Sequence, residues 1–538
     1  MPRLLVHVRA ALANPVCLLA VAAALIAFAV QSGELGSADT QHRLQATHAL
    51  WTSEPPVLPE DYPEFGIRGR NGALQTWYGI GQSLLMLPSD ILGTGIEKLP
   101  IFADYNGNDP SVRNIVVGYA VSIFLNVATA LVALRFLLLL GFSQRQSIAG
   151  ALALLVLTTH LHYTQNLMEN NYICLLTLAG FTWHYRWLLT GSRRALLIGS
   201  AAFGLNLLTR LTAGLDLLAG AFFVALAIWL AGTRGSALFA RAKTYAAVTL
   251  PVYAFFILLD RLYQFYRFGS FFNTYAGIAA RQWRSQDPSL PSSFPFSAPF
   301  HAGFLGALFS PAKSIFLFDP LLILMLILAV VSWRRFTPAI KAYVIATAVM
   351  LLAYICFYAR YFTFAGDTAW GDRYAATSVE LAALLAVPLL LQVWCGIFSS
   401  LRILGTALIA LSAVVQIASV AFWQSLERYQ MEQMHRSAFV VGLRFENIVA
   451  FALGKMNAWG LINPGITDDA WDYQHITAWN LLPFQLQHAG VAPLWVDRLT
   501  LVIWWASLVA LAGVLVRLYR RLPQDAGEAP LSSRVPHP

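Results

Sequence analysis

The sequence predicts an all-α polytopic membrane protein of about twelve transmembrane helices with long loops on the outer face. Three observations carry that prediction. Apolar residues fill 58% of the 538 positions and charged residues only 12%, with a mean hydropathy of +0.59, far from a soluble composition. Apolar runs of spanning length recur along the chain, and Lys and Arg gather on alternate connections between them.

The first run covers 14–31 and is followed by others near 114–140, 147–165, 171–189, 195–209, 213–231, 245–263, 314–332, 342–359, 376–396, 402–423 and 498–516. A cleavable signal peptide competes for the first run, but no clear small-residue cleavage site follows it and many further spans do. Placing alternate connections in the cytoplasm puts Arg3, Arg9, Arg145, Arg193, Arg194, Arg234, Arg241 and Lys243 on one side, together with Arg334, Arg335, Lys341, Arg402, Arg517, Arg520 and Arg521. Both termini are then cytoplasmic. The weakest point is 195–231, where Arg210 and Asp216 interrupt one apolar stretch and decide whether it makes one helix or two.

The long polar segments, 32–113, 264–313, 360–375 and 424–497, then share the outer face. Such loops are where chemistry is placed on a rigid scaffold. The expected organisation is a membrane-embedded core over 1–423, an outer-face loop subdomain over 424–497, a last transmembrane helix over 498–518 and a cytoplasmic tail over 519–538. The polar end from Pro523 has the composition of a disordered segment. Cys17, Cys174, Cys356 and Cys395 lie in or beside apolar runs, which argues against a disulfide framework or a zinc ribbon. The net charge of +9 comes from short clusters that orient spans, and no basic stripe interleaved with aromatics suggests a nucleic-acid partner. An ATP-driven pump is disfavoured because the chain lacks a Walker-type loop.

Five groups of residues are candidates for chemistry. Asp39 follows the first span by a few residues, and 41–51 reads as a short amphipathic helix able to lie on the membrane surface. A carboxylate at that depth suits a general base, and it equally suits an N-cap for the following helix. The second group is Tyr358 to Tyr374, where Trp370 offers an aromatic face, Asp372 a carboxylate and Arg373 a partner for phosphate. In the third, Arg267 and Lys313 stand at the mouths of spans, placed to hold a phosphate or to snorkel to the headgroups. The fourth is Arg210 at the outer end of a span, whose partner is either Asp216 or a lipid-linked phosphate. Finally, His160, His162 and Glu169 have metal-ligand residue types, but two His residues at i and i+2 point apart on a helix, so Glu169 reads better as a second acid.

In order along the chain stand Asp39, the stretch from Trp77 and Tyr78 through Gly79 and Gly81 to Pro88, Asn206 to Arg210, Arg267 to Ser270, Phe309 to Pro311, and Trp370 to Tyr374. This order resembles the membrane glycosyltransferases of the GT-C fold, especially bacterial protein O-mannosyltransferases and aminoarabinose transferases. The resemblance covers roughly residues 10–400. It implies transfer of a sugar from a polyprenyl-phosphate donor to an acceptor at the outer face of the cytoplasmic membrane, with inversion at the anomeric carbon. Asp39 would be the base. Arg373, Lys313 and Arg210 would balance charge on the lipid phosphate, and Glu169, Tyr78, Trp370 and Asp372 would complete the substrate site. Many relatives carry a second acid beside the first-loop Asp, where this chain has Thr40. No required metal or cofactor is expected. The partners are the lipid-linked donor, membrane lipids and an acceptor whose identity the sequence leaves open. A transporter or flippase of a lipid-linked precursor is the competing class; it predicts polar residues at mid-bilayer depth and inverted repeats, and no repeat is visible.

Overall fold

The computed structural model describes residues 14–62, 65–105, 107, 110–366, 369–462 and 478–522. Arg3 and Arg9, Asp367 in the second polar group, and the tail from Pro523 lie outside the described residues.

All twelve apolar runs are helical. Seven of the described helices are each long and apolar enough to cross a membrane: Val112–Leu139, Leu211–Leu230, Gly235–Phe268, Pro338–Tyr358, Ala376–Gly396, Ser399–Ser419 and Leu494–Arg521. An eighth crossing is made if Gln144–Val156 and His160–Asn166, bent by 52°, count together. Pro15–Val30 is apolar but only 16 residues long. Asn170–Thr190, Arg193–Leu207 and Pro320–Ser332 pack among these. Val112–Leu139 is the central post, flanked by Pro15–Val30, Gly81–Glu97, Gln144–Val156 and Asn170–Thr190. A buried aromatic cluster of Phe136, Phe181, Phe223 and Tyr343 ties the post to the later helices, with ring centroids 4.9 Å apart for Phe136 and Tyr343 and 5.4 Å for Phe181 and Phe223.

The doubtful stretch at 195–231 is two helices. The first ends at Leu207, Arg210 takes an extended conformation (φ −149°, ψ 126°), and a short turn over Leu211–Ala213 starts the second. A charged side chain at a chain break can reach a partner outside the bundle axis without leaving the helix ladder unpaired.

The first loop is folded back onto the bundle. Its helix covers Ala38–His48, and Thr40, His42, Arg43, Leu44, Ala46, Thr47 and His48 are all buried. The expected membrane-surface helix over 41–51 is therefore corrected: its polar face is covered by protein, and only the exposed Leu50 and Trp51 beyond its end are left outward. The reason is a set of buried hydrogen bonds. Asp90 accepts from Trp51 Nε1 at 2.7 Å and lies 3.0 Å from His48 Nδ1. Arg113 Nε donates to its other oxygen at 2.5 Å, so three segments meet on one buried carboxylate. A hairpin of Gly66–Arg68 with Leu74–Thr76 follows. Gly79 and Gly81 then let the backbone run against Leu208 and Thr209, where a Cβ would collide with their atoms.

His160–Asn166 ends at Leu167, which adopts a left-handed conformation (φ 48°). Its carbonyl is thereby turned outward and accepts from Gln82 Nε2 at 2.6 Å and Thr40 Oγ1 at 3.3 Å. This joint brings the first loop and the segment beginning at Met168 to one place. On the other flank, the buried Gln165 amide donates to the carbonyls of Val30, Val420 and Asn480, which anchors the 424–497 region beside the same joint.

Candidate functional site

Ser37, not Asp39, caps the first-loop helix: its Oγ accepts from the Thr40 N–H at 3.2 Å. The expectation of Asp39 as N-cap is corrected on that geometry, because its two carboxylate oxygens are engaged elsewhere. Oδ1 accepts from the Tyr78 hydroxyl at 2.7 Å, and Oδ2 accepts from Arg373 Nη1 at 2.8 Å. Arg43 lies one turn further along, on the same face of the helix as Asp39. Its Nη1 is 2.7 Å from Glu169 Oε2, and its guanidinium stacks over the Tyr78 ring at 4.3 Å. The other Glu169 oxygen accepts from Arg210 Nη2 at 2.5 Å. Two carboxylates and three guanidiniums thus form one cluster from four separate segments, with a sum of +1.

The cluster is open at one end. The Asp39 side chain is 20% exposed and that of Arg373 16%, against 7% for Glu169 and 6% for Arg43. Arg373 Nε is buried with no hydrogen-bond partner, so the guanidinium has a donor to spare. An aromatic wall stands beside it. Tyr374 stacks on Tyr358 with centroids 3.9 Å apart and planes 3° from parallel, and Arg210 lies over the Tyr374 ring at 5.5 Å.

Electrostatics fixes the charge states. Burial alone would raise the Asp39 carboxyl, but Arg373, then Arg43, outweigh it and, with the Tyr78 hydroxyl, hold it below the usual carboxylate range. Burial likewise opposes ionisation of Glu169, and Arg43, Arg210 and Arg373 pull it far down. Burial, then the Asp39 charge, pushes the Tyr78 phenol well up, so Tyr78 stays protonated as a donor to Asp39. At neutral pH the cluster contains two carboxylates, three cations and one fixed hydroxyl donor.

Of the expected site residues, Asp39, Tyr78, Glu169, Arg210 and Arg373 meet here. Asp216 is not the partner of Arg210: it takes hydrogen bonds from Tyr354 at 2.9 Å and Thr177 at 3.1 Å, and Glu169 holds the Arg. Lys313 donates to the Ala369 carbonyl at 2.6 Å, and its charge acts on Asp372. Trp370 is only 2% exposed, packed edge-on to Phe318 at 4.9 Å and beneath Arg444 at 4.9 Å, so its ring offers no face to a sugar. Asp372 is buried and accepts from the Tyr374 and Ala375 N–H groups at 3.0 and 3.1 Å, which orients the turn holding Arg373. Burial raises its carboxyl to about 6, against those hydrogen bonds and the charges of Lys313 and Arg210. Arg267 neither snorkels nor faces a phosphate: it is 2% exposed and donates from Nη1 to the carbonyls of Thr76 and Tyr78, fixing the segment after the Leu74–Thr76 strand that carries Tyr78.

The His160, His162 and Glu169 trio does not converge. His162 Nδ1 lies 3.2 Å from the Ser419 carbonyl, and Glu169 is taken by arginines. Arg43 is the member of the cluster that sequence reasoning missed. Its spacing of four from Asp39 was the available signal.

No family model matches the chain, and no curated protein matches it. Among solved structures it is similar to the archaeal oligosaccharyltransferase AglB from Archaeoglobus fulgidus, solved in complex with an inhibitory peptide and a dolichol-phosphate. The identity is 14% and the TM-score 0.46, over 75% of this chain. The match spans 55% of that structure's length, about half of it.

Proposed function

We propose that the protein is a membrane glycosyltransferase that moves a sugar from a polyprenyl-phosphate donor to a hydroxyl acceptor, with inversion, using Asp39 as general base. The observation that carries the reading is the open end of the cluster, where a partly exposed ionised carboxylate and a partly exposed guanidinium share one contact. The site also lies among the long loops, which the distribution of Lys and Arg assigns to the outer face of a cytoplasmic or equivalent membrane, with both termini cytoplasmic.

The reaction needs a base for the acceptor hydroxyl and positive charge for the departing phosphate. The acceptor oxygen forms the new bond to the anomeric carbon as its proton passes to Asp39. The bond from that carbon to the phosphate oxygen breaks, and the lipid phosphate leaves with the electron pair. Arg373, backed by Arg210, stabilises the charge that grows on it, which is electrostatic stabilisation of the transition state.

The resting ion pair also explains how a weak base is activated. While Arg373 holds Asp39, the carboxyl is depressed and a poor proton acceptor. When a donor phosphate draws Arg373 away, Asp39 loses its strongest cation and gains proton affinity. Donor binding thereby switches on the base. Glu169 keeps Arg43 and Arg210 aligned and supplies the second acid that Thr40 does not.

The test is transfer of radiolabelled sugar from polyprenyl-phosphate donors in membranes carrying wild-type protein or Asp39→Asn at matched expression. Transfer lost in the variant supports the reaction class and the base together. Equal transfer in both removes Asp39 from the chemistry.

A further inference from the structure

Beneath the site, between the bend at 156–160 and the helices Asn170–Thr190 and Ala376–Ala383, lies a second group of polar side chains that the proposed reaction does not use. His160, Cys174 and Glu380 are all 0% exposed, and one ligand atom from each lies within 4.8 Å of the others. His160 Nδ1 and Glu380 Oε2 are 3.7 Å apart, and neither has a hydrogen-bond partner.

The hydrogen bonds around the imidazole fix its tautomer. Asn126 donates from Nδ2 to the Ala23 carbonyl at 3.3 Å, which leaves its Oδ1 to accept from His160 Nε2 at 3.1 Å. With the ring hydrogen on Nε2, Nδ1 presents a lone pair towards a carboxylate. Two lone pairs facing each other in an apolar interior repel, and a proton or a metal cation between them removes that repulsion. Among the described residues no Lys or Arg forms an ion pair with Glu380 or with the neighbouring Asp319, whose Oδ1 accepts from the Thr159 N–H at 2.7 Å. The separation of 3.7 Å is too long for a hydrogen bond. It matches the edge of a tetrahedral ligand shell, which is about 3.3–3.8 Å for metal–ligand bonds of roughly 2.0–2.3 Å.

We infer that His160, Cys174 and Glu380 supply three ligands to a borderline-soft divalent cation of the zinc class, buried in the helix bundle. Imidazole, thiolate and carboxylate are a zinc ligand set, and the Nε2–H donated to an amide oxygen is the outer hydrogen bond that orients a ligating His. One thiolate and one carboxylate match the charge of a dication within the three-ligand set. The ion would pin the bend at 156–160 to the helix after Glu169 and to the helix after Arg373. Those two segments are already joined by Asn170 Nδ2 on the Arg373 carbonyl at 2.6 Å.

The experiment is metal analysis of detergent-purified full-length protein, prepared without chelators and then loaded with Zn²⁺ alone. About one zinc per chain is expected, falling at least tenfold in Cys174→Ser and unchanged in Cys356→Ser, whose thiol is exposed. Loading with Co²⁺ should give a thiolate-to-cobalt charge-transfer band that the Cys174 variant lacks. Less than about a tenth of an equivalent of zinc in loaded wild-type protein overturns the proposal, as does full zinc in monodisperse Cys174→Ser. Should that variant fail to fold, the cobalt spectrum of the wild type decides alone: no thiolate band means no site.

Discussion

Two arginine–carboxylate pairs in this molecule use the same chemistry for opposite ends. Arg444 and Glu427 are 0% and 2% exposed. Arg444 donates from Nε and Nη2 to both Glu427 oxygens, from Nη1 to the carbonyls of Ala418, Ser419 and Phe422, and from Nη2 to that of Trp423. Every direction of its guanidinium is taken. Arg373 and Asp39 are 16% and 20% exposed, with one strong hydrogen bond between them and Nε left over. A saturated pair can only hold parts together, because any new partner must displace an existing one. An unsaturated pair at an opening can exchange its partner for a ligand, and that difference sets the proposed site apart from the structural pair.

The comparison breaks most visibly at Asp39. Asp39→Asn keeps the shape and the Tyr78 contact but removes the base, so transfer is expected to fall by about 10²–10⁴. Thermal unfolding in detergent should stay close to wild type. If Asp39→Asn instead loses its fold, the Asp39 pair is structural like the Arg444 pair, and the contrast drawn here collapses.

Next comes Arg444→Ala. It strands Glu427 and four carbonyls in a dry interior, and loss of one partner from such a pair costs about 3–5 kcal/mol. The expected readout is a large drop in melting temperature or loss of monodisperse protein. Arg373→Ala should lower transfer by about 10²–10³ with a smaller loss of melting temperature than Arg444→Ala, since its pair is less buried and makes fewer hydrogen bonds. Equal melting losses for Arg444→Ala and Arg373→Ala would erase the distinction.

A subtler effect concerns pH. Burial raises the Asp39 carboxyl and Arg373 is the largest influence pulling it down, so its folded value lies below the unfolded one. The ion pair's contribution is therefore complete above the ordinary carboxylate pKa and is lost as pH falls through the depressed folded value. Removing the cation with Arg373→Gln raises the Asp39 pKa. The acidic limb of kcat/KM should then move upward by about 1–3 units, measured as transfer against pH on the residual activity. A limb that does not move would show that Arg373 does not govern the base.

Much of this was legible in the sequence, and what was not has a common cause. The apolar runs give the helices, because spanning length is a local property, and the break at Arg210 is visible as a charge between two runs. Asp39, Glu169, Arg210 and Arg373 stand out as charged groups beside the ends of apolar runs, and Tyr78 in the polar stretch between two of them. Whether such a group is saturated depends on distant partners. Local sequence could not show that Lys313 is held by Ala369, that Trp370 is covered by Phe318 and Arg444, or that Asp372 caps its own turn. Arg43 is hidden from a local reading because its ion-pair partner, Glu169, is far along the chain. Cys174 and Glu380 read as parts of separate apolar helices until the fold brings them to His160.

The smallest expected effect tests the turn beneath Arg373. Asp372 is buried, and its carboxyl is raised to about 6, above the ordinary carboxylate value. A raised folded pKa favours the folded state below the unfolded pKa, and that advantage is lost as pH rises through the folded value, here between about 4 and 6. Asp372→Asn keeps an oxygen to accept from the Tyr374 and Ala375 N–H groups but has no charge to desolvate. At pH 7 it should be as stable as wild type or more so, by up to about 3 kcal/mol, and the difference should vanish below about pH 4. Melting curves of both proteins from pH 4 to 8 check this. A variant less stable at neutral pH would mean that the Asp372 charge is needed by Lys313 and Arg210, which would draw Asp372 back from a turn-holding role into the electrostatics of the site.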